Sequence, residues 1–350
     1  MWSAGVALRE NKRCQHQRDP VQHVRFGRTG LPVSRLCLGT MTFGLQCDEK
    51  SSHAILDAAA EQGITFLDTA DVYPLGGTLE DKGRTEEILG RWLRGKRESF
   101  VLATKCSHRT GPQPWQQGTS RKHVLASIDA SLKRLGTDYV DLYQVHHFDP
   151  NTPVDETVEA FDAVVKSGKA RYVGVSNYPA YRVARALGRS EALGITRLVS
   201  VQPRYNLLFR QAERELLPLC EEEGLAVMTY NPIAGGLLTG KHERSAPPSA
   251  GTRFTLGTAG KEYVERYWKE REFDTVDAVV ALAKENGLDP ATMAVSWVLA
   301  HPAVTSAIIG ASRPEQLEAS IAAAEFRLDK ELKTRLDELS HDYRMGDAAG

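Results

Sequence analysis

Eight short apolar runs recur along the chain with amphipathic stretches between them, and this alternation narrows the available folds more than any other property. The runs are Leu36 to Leu38, Thr65 to Asp68, Phe100 to Thr104, Val140 to Val145, Tyr172 to Val175, Val199 to Gln202, Ala226 to Thr229 and Ser306 to Ile309. Their length and their β-branched and aromatic content suit buried strands. Between them lie helical patterns such as SSHAILDAAAEQG, SRKHVLASIDASLKRLG, VDETVEAFDAVVKSG, AERELLPLCEEEG and TVDAVVALAKENG. Several open near an acid or hydroxyl and close on Gly, which are helix start and stop signals. Parallel strands joined by helices need right-handed crossovers, and eight of them in 350 residues predict an α/β chain closed into a (β/α)8 TIM barrel. An open doubly wound sheet is the competing arrangement, disfavoured because no GxGxxG follows an early strand.

Ahead of the first run, VRFGRTG and LPVSRL read as a β-hairpin with Gly30 at its turn. Residues 1–23 are accordingly expected to be a disordered extension and residues 24–350 a single domain, since no repeat, linker or low-complexity stretch divides them. Two connections exceed the usual length, 107–120 after the Lys105 strand and 241–263 after the seventh strand. Both should lie over the rim where strands end, as lids or binding loops. Trp115, Phe254 and Tyr263 in them either line a pocket or pack their own loop.

The formal net charge of -1 offers no overall attraction for nucleic acid or an anionic membrane. No apolar run approaches the roughly 20 residues that span a bilayer, and the first residues carry no convincing secretion signal. Cys14, Cys37, Cys47, Cys106 and Cys220 are scattered without CxxC spacing, so neither a disulfide framework nor a metal site is indicated, and a reducing cytoplasm fits. The expected partner is a small molecule; monomer and homo-oligomer are equally open.

Four runs, FLDTADVY, FVLATK, DLYQVHH and YVGVSN, end in groups capable of chemistry. In a parallel barrel such ends converge on one rim. Asp68, Tyr73, Lys105 and His146 are therefore the candidate catalytic set. A tyrosine with a pKa of about 10 is a poor acid for assisting carbonyl reduction unless its anion is stabilised. A neighbouring ammonium about 4 Å away supplies about 4 kcal/mol at an effective dielectric of about 20, against about 1.36 kcal/mol for each pKa unit. Lys105 is thus expected to lower the Tyr73 pKa, with Asp68 holding Lys105 charged and His146 donating or relaying a proton at the carbonyl oxygen. No side chain delivers hydride, so a reduced nicotinamide is required.

LGTMTFG, FLDTADVY, ATK, DLYQVH, GVSN, VQPRYN, TYNPIAGGLLTGK and IIGASRPEQLEAS follow one another in an order and spacing that resembles the aldo-keto reductases, from about Val24 to about Leu328. The resemblance implies that Asp68, Tyr73, Lys105 and His146 form the family's catalytic tetrad, with Tyr73 the acid in reduction and the base in oxidation.

It also implies a cofactor site. Gly39, Thr40, Met41 and Asp68 would border it, Ser176, Asn177 and Gln202 would hold the nicotinamide amide, and Tyr230 would stack on the ring. Asn231, Pro232, Ile233, Ala234, Gly236 and Leu238 match the loop around the pyrophosphate, followed by Thr239 and Lys241. Gly310, Ser312, Arg313, Gln316 and Ser320 match the last cofactor segment, a strand end opening a helix whose free N–H groups suit a phosphate. Ser312, Arg313, Lys241 and Arg253 favour a 2'-phosphate, hence NADPH over NADH. Ala319 and Ser320 stand where family members commonly carry Glu-Asn, which loosens the adenine contacts and leaves NADH as a second cofactor. The expected activity is NADPH-dependent reduction of aldehydes or ketones to alcohols. A different class of function comes from a further similarity, along LGTMTFG and from SRKHV to NTPVDETVEA, to potassium-channel beta subunits, which bind NADPH and act mainly as regulatory partners.

Overall fold

The computed structural model describes residues 21–345. A short hairpin, β1 (His23–Arg25) paired antiparallel with β2 (Pro32–Ser34), precedes a closed barrel of eight parallel strands. These are β3 (Leu36–Gly39), β4 (Phe66–Asp68), β5 (Val101–Cys106), β6 (Val140–Val145), β7 (Ala170–Ser176), β8 (Ser200–Gln202), β9 (Ala226–Tyr230) and β10 (Val304–Ile309), with β10 pairing β3 to shut the cylinder. All eight predicted runs are barrel strands.

The helices are α1 (Glu49–Glu61), α2 (Arg84–Leu93), α3 (Arg121–Leu135), α4 (Val154–Lys166), α5 (Ala180–Leu193), α6 (Leu216–Glu223), α7 (Gly260–Tyr267), α8 (Glu270–Glu285), α9 (Pro290–Leu299), α10 (Leu317–Glu325) and α11 (Lys330–Leu339). Their ends follow from side-chain chemistry. Asp48, Ser120, Asp289 and Asp329 accept backbone N–H groups at the starts of α1, α3, α9 and α11. Gly136, Gly194 and Gly224 close α3, α5 and α6 in the left-handed conformation that costs other residues energy. None of the described helices is long and apolar enough to cross a membrane.

The core has two shells. The larger lies between barrel and helices, and the smaller fills the barrel itself with Phe26, Val33, Cys37, Phe66, Ala103, Leu142, Ala226, Met228 and Ile308. Phe26, carried by the hairpin, meets Phe66 edge to face with centroids 5.7 Å apart. Gly27, not Gly30, supplies the turn's left-handed residue; a Cβ there would strike Ala226 N and Gly224 O at 2.7 Å. The hairpin thereby plugs the N-terminal end and leaves only the C-terminal rim open. The extension expected over residues 1–23 lies mostly outside the described residues. Within it, Val21 is already buried and donates its N–H to Gln62 O, and His23 opens β1, so packing starts ahead of Val24.

Of the two long connections, 107–120 leaves Trp115 half exposed with Lys122 over its ring. In 241–263, Phe254 is buried between His242 and Trp268, so it packs its own loop, whereas Tyr263, in the first turns of α7, faces the cleft described below.

Candidate active site

One layer above the apolar barrel filling, the inward-facing residues turn polar. Lys105, at the end of β5, is wholly buried and uses all three ammonium hydrogens: on Asp68 Oδ2 at 2.5 Å, Thr69 O at 2.8 Å and Tyr73 Oη at 3.4 Å. The other carboxylate oxygen of Asp68 accepts from Gln202 Nε2 at 2.9 Å and Gln144 Nε2 at 3.4 Å. The parallel register puts Asp68, Lys105, Gln144 and Gln202 at the C-terminal ends of β4, β5, β6 and β8, which is why these four meet. Burying one ion pair is tolerable only when every remaining donor and acceptor is matched, as here.

The electrostatics differ from the sequence expectation at Tyr73. Burial raises its phenol pKa by more than the ammonium of Lys105 lowers it, so the hydroxyl is protonated at neutral pH. Burial works against the charge of Lys105, yet Asp68 and Tyr73 outweigh it and raise the ammonium pKa. Asp71, two residues before Tyr73, is buried with neither carboxyl oxygen bonded among the described residues. Burial and the charge of Glu86 push it well above the usual carboxylate range, so it is a neutral acid and does not compete with Asp68 for the ammonium.

His146 follows β6 and meets Tyr73 edge to face with centroids 5.7 Å apart. It belongs to a cluster of three imidazoles, with His108 at 4.6 Å and His147 at 5.7 Å from its ring. Burial, then Lys105 and the two neighbouring rings, hold His146 well below its ordinary pKa, and burial with His147 lowers His108 to about 4. His146 is therefore neutral and offers a hydrogen bond rather than an imidazolium proton. Ser107 fixes this cluster: its backbone is left-handed at φ 119, its hydroxyl accepts His147 N–H at 3.0 Å and its carbonyl accepts Gly118 N–H.

Beside this floor runs a cleft of about 490 Å³. Of the predicted cofactor residues, Gly39, Met41, Tyr230, Asn231, Pro232, Ile233, Gly236, Thr239, Lys241, Arg253, Gly310, Ser312, Arg313, Gln316 and Ser320 line it. The structure brings them together from β3, β9 and β10. Asn231 folds the loop after β9: at φ 64, its Oδ1 accepts Gly235 N–H at 2.6 Å and its Nδ2 donates to Tyr267 Oη at 2.9 Å. Gly235 and Gly236 both have positive φ, and a Cβ at either would press on a cleft side chain, Tyr263 at 2.7 Å from Gly235 and Lys241 at 3.3 Å from Gly236.

Other predicted contacts sit elsewhere. Thr40 is buried with its hydroxyl on Asp68 O at 3.0 Å, and Ala234 and Leu238 face the core. Ser176 donates to Gln202 O at 2.8 Å while the Gln202 amide serves Asp68, so both brace the carboxylate of Asp68. Asn177 is a tie: its Nδ2 donates to His146 O and contacts His147 Nε2, and its Oδ1 accepts the Tyr230 hydroxyl at 2.8 Å. At the last segment, Ser312 N–H is already taken by Gln316 Oε1 at 2.8 Å, and a short 3-10 turn precedes α10.

Sequence reasoning passed over several residues. Gln144 stands two before His146, and so on the same face of β6 as the alternation would require; that signal was available. His108, Gln46 and Gly251 had none, because loop geometry alone brings them in. Gln46 Nε2 donates to Gly251 O at 2.5 Å, a bond that joins the two sides of the cleft.

Known proteins bear on this geometry. The family model described as "Aldo/keto reductase family" matches residues 35–341. The chain is 42% identical to a Bacillus subtilis protein named "Uncharacterized oxidoreductase YrpG" over 327 residues, 91% of this chain and 96% of the relative. It is 36% identical to "Protein tas" of Escherichia coli over 92% of this chain and 99% of that one. It is also 36% identical to an Arabidopsis thaliana "Probable voltage-gated potassium channel subunit beta", over 87% of this chain and 92% of that one.

Proposed function

The chain belongs to the aldo/keto reductase family of oxidoreductases, and we propose that within it the protein is an NADPH-dependent reductase of aldehydes or ketones. The observation that carries this reading is Lys105 Nζ, buried, 2.5 Å from Asp68 Oδ2 and 3.4 Å from Tyr73 Oη, beside an open cleft whose lining residue Gly39 pairs with Asp68. Tyr230, Asn231, Lys241, Arg253 and Arg313, which line that cleft, would hold a reduced nicotinamide cofactor, whose chemistry would be delivery of a hydride to the carbonyl carbon. Tyr73 gives its proton to the carbonyl oxygen, so the products are an alcohol and a tyrosinate. The raised Tyr73 pKa suits this role, since the donor is protonated beforehand. Lys105 acts on the phenolate as it forms, a stabilisation greater in the transition state than in the resting site. Neutral His146 orients the carbonyl by a hydrogen bond, and Asp68 keeps the ammonium charged and in place. Tyr73 is reprotonated from solvent after the alcohol leaves.

The choice of NADPH rests on three cations that crowd the far part of the cleft, Lys241, Arg253 and Arg313. Burial, then Arg313 and Arg253, depress the Lys241 pKa, and Arg253 Nη1 is buried without a partner among the described residues. Among the described residues, the ion-pair contact of Arg313 is a loose one with Glu315 at 3.9 Å. A dianionic 2'-phosphate relieves that repulsion and fills the orphaned donor. Ala319 and Ser320 make few demands on the adenine side, which keeps NADH as a weaker alternative.

Tyr73→Phe is the test. The folded variant should still quench on NADPH addition yet lose at least about 100-fold in turnover of a good aldehyde, the low end of what a positioned proton donor contributes. Turnover at the parental rate would overturn the reading. The channel-subunit similarity supports a second reading, NADPH held with little turnover. A parent protein that retains NADPH through purification but reduces no aldehyde selects it.

A further inference from the structure

Tyr230 is the wall between two clefts. The first is the one discussed above; the second, of about 520 Å³, starts at His147 and Asn177 and runs between the loop after β8 and α7. Among the described residues its lining has one carboxylate, Glu215, and three guanidinium groups, Arg204, Arg214 and Arg266. Arg204 lies flat on Phe209, with Cζ 3.5 Å from the ring centroid. Arg266 is half-buried and meets Glu262 Oε2 at 3.2 Å through one nitrogen, leaving the rest of its donor fork toward the cleft. Its charge is felt by both His147 and Tyr230, which places it across the opening from the imidazole pair. Among the described residues no carboxylate lies within ion-pair distance of Arg214. The remaining wall is flat and apolar, from Phe148, Tyr178 and Phe209.

A cleft that begins one residue from His146, passes aromatic faces and ends among guanidinium groups has a definite chemical complement. We infer that the carbonyl substrate carries an anionic group, carboxylate or phosphate monoester, on an apolar spacer, with Arg266 as the principal specificity-determining residue and Arg214 as its support. Guanidinium forks match both anions in bidentate geometry, and the aromatic walls accept a planar spacer. This inference rests on the reductase reading above and names the substrate class of that site.

The experiment uses matched aldehydes of similar shape, followed by NADPH oxidation: 4-carboxybenzaldehyde against its methyl ester, and 4-formylphenyl phosphate against 4-methoxybenzaldehyde. The anionic member of at least one pair should have the higher kcat/KM by about ten-fold or more, the value of one charge-assisted contact. Preference in only one pair identifies which anion the site takes. Arg266→Gln should reduce that ratio about ten-fold, chiefly through KM, with Arg266→Lys recovering part of it and Arg214→Gln giving a smaller loss. Equal rates within both pairs, or an Arg266→Gln variant that lowers both members alike, would overturn the proposal. Failure of the reductase reading looks different: no aldehyde of either charge would be reduced.

Discussion

The two ends of the barrel interior are built from the same strands and do opposite things. On five of the eight strands they lie two positions apart: Cys37 and Gly39, Phe66 and Asp68, Ala103 and Lys105, Leu142 and Gln144, Met228 and Tyr230. Because side chains alternate, each pair points into the barrel, one step apart along its axis. The lower step is apolar and sealed by the hairpin through Phe26. The upper step holds an ion pair, two amides and a phenol, closed on itself by hydrogen bonds. The lower layer is thus the support on which a destabilising upper layer is assembled, and an isolated charge is tolerable at the top only because its partner is one strand away.

The largest effects should come from breaking each layer in turn. Phe66→Ala should lower stability by about 3–5 kcal/mol through cavity formation. Asp68→Asn should cost a similar amount, about 3–5 kcal/mol, by leaving the Lys105 ammonium buried and uncompensated. The layers then part company. Adding Lys105→Met to Asp68→Asn should restore most of the lost stability without restoring activity, because removing both charges also removes the desolvation cost. Phe66→Ala, in contrast, should keep its turnover per folded molecule. Urea unfolding and kcat on the same samples check this; a Phe66→Ala enzyme as inactive as the double variant would abolish the distinction between support and machinery.

The lower layer and the tetrad strands were legible in the sequence for the same reason: a period of two in short apolar runs fixes both what faces inward and where each strand stops. Asp68, Lys105 and His146 lie at such ends, and Tyr73 five residues on, so topology alone brings them near one another. What topology does not set is the hydrogen-bond partner. Gln202, Thr40, Ser176 and Asn177 were expected beside a cofactor; within the protein their polar atoms bond Asp68, Gln202 O, His146 O and Tyr230, since an amide or hydroxyl bonds to whatever the neighbouring strand presents. The balance at Tyr73 was hidden likewise: the attraction of Lys105 could be estimated from chemistry, but the opposing burial depends on the packing around the ring. Gly30 lies in the turn as expected, but the left-handed residue is Gly27, whose close approach to Gly224 and Ala226 cannot be read from the local sequence.

The comparison sharpens at the rim, where charge is left unpaired rather than closed on itself. If the three cations by the cleft await a 2'-phosphate, Lys241→Gln should raise KM for NADPH about ten-fold, the equivalent of about 1.4 kcal/mol, and leave KM for NADH nearly where it was. Stability should rise slightly or stay level, because a repulsion with Arg313 and Arg253 is removed. Equal changes with both cofactors would show that Lys241 reads a group the two share.

The smallest effect concerns pH, and it separates the layers through titration alone. His108, His146 and His147 are all held below their ordinary pKa, first by burial. The unfolded chain binds protons at these imidazoles from about pH 6.5 downward, whereas the folded chain does so only near or below pH 4 for His108. Their contribution to stability is therefore complete above about pH 6.5 and is lost as pH falls through that window. The rings are partly exposed, so each contributes well under the limit of about 1.4 kcal/mol per pH unit. Thermal unfolding at pH 7.5 and 5.5 should show the loss, and His108→Gln should shrink it measurably; His242, lowered to about 4 on the 241–263 loop, keeps the remainder from vanishing. Phe66→Ala should shift both temperatures and leave their difference intact, since nothing in the lower layer titrates in this range. A His108→Gln protein with the parental difference would mean that the imidazole cluster is as accessible to protons when folded as when unfolded, and the neutral role assigned to His146 would fall with it.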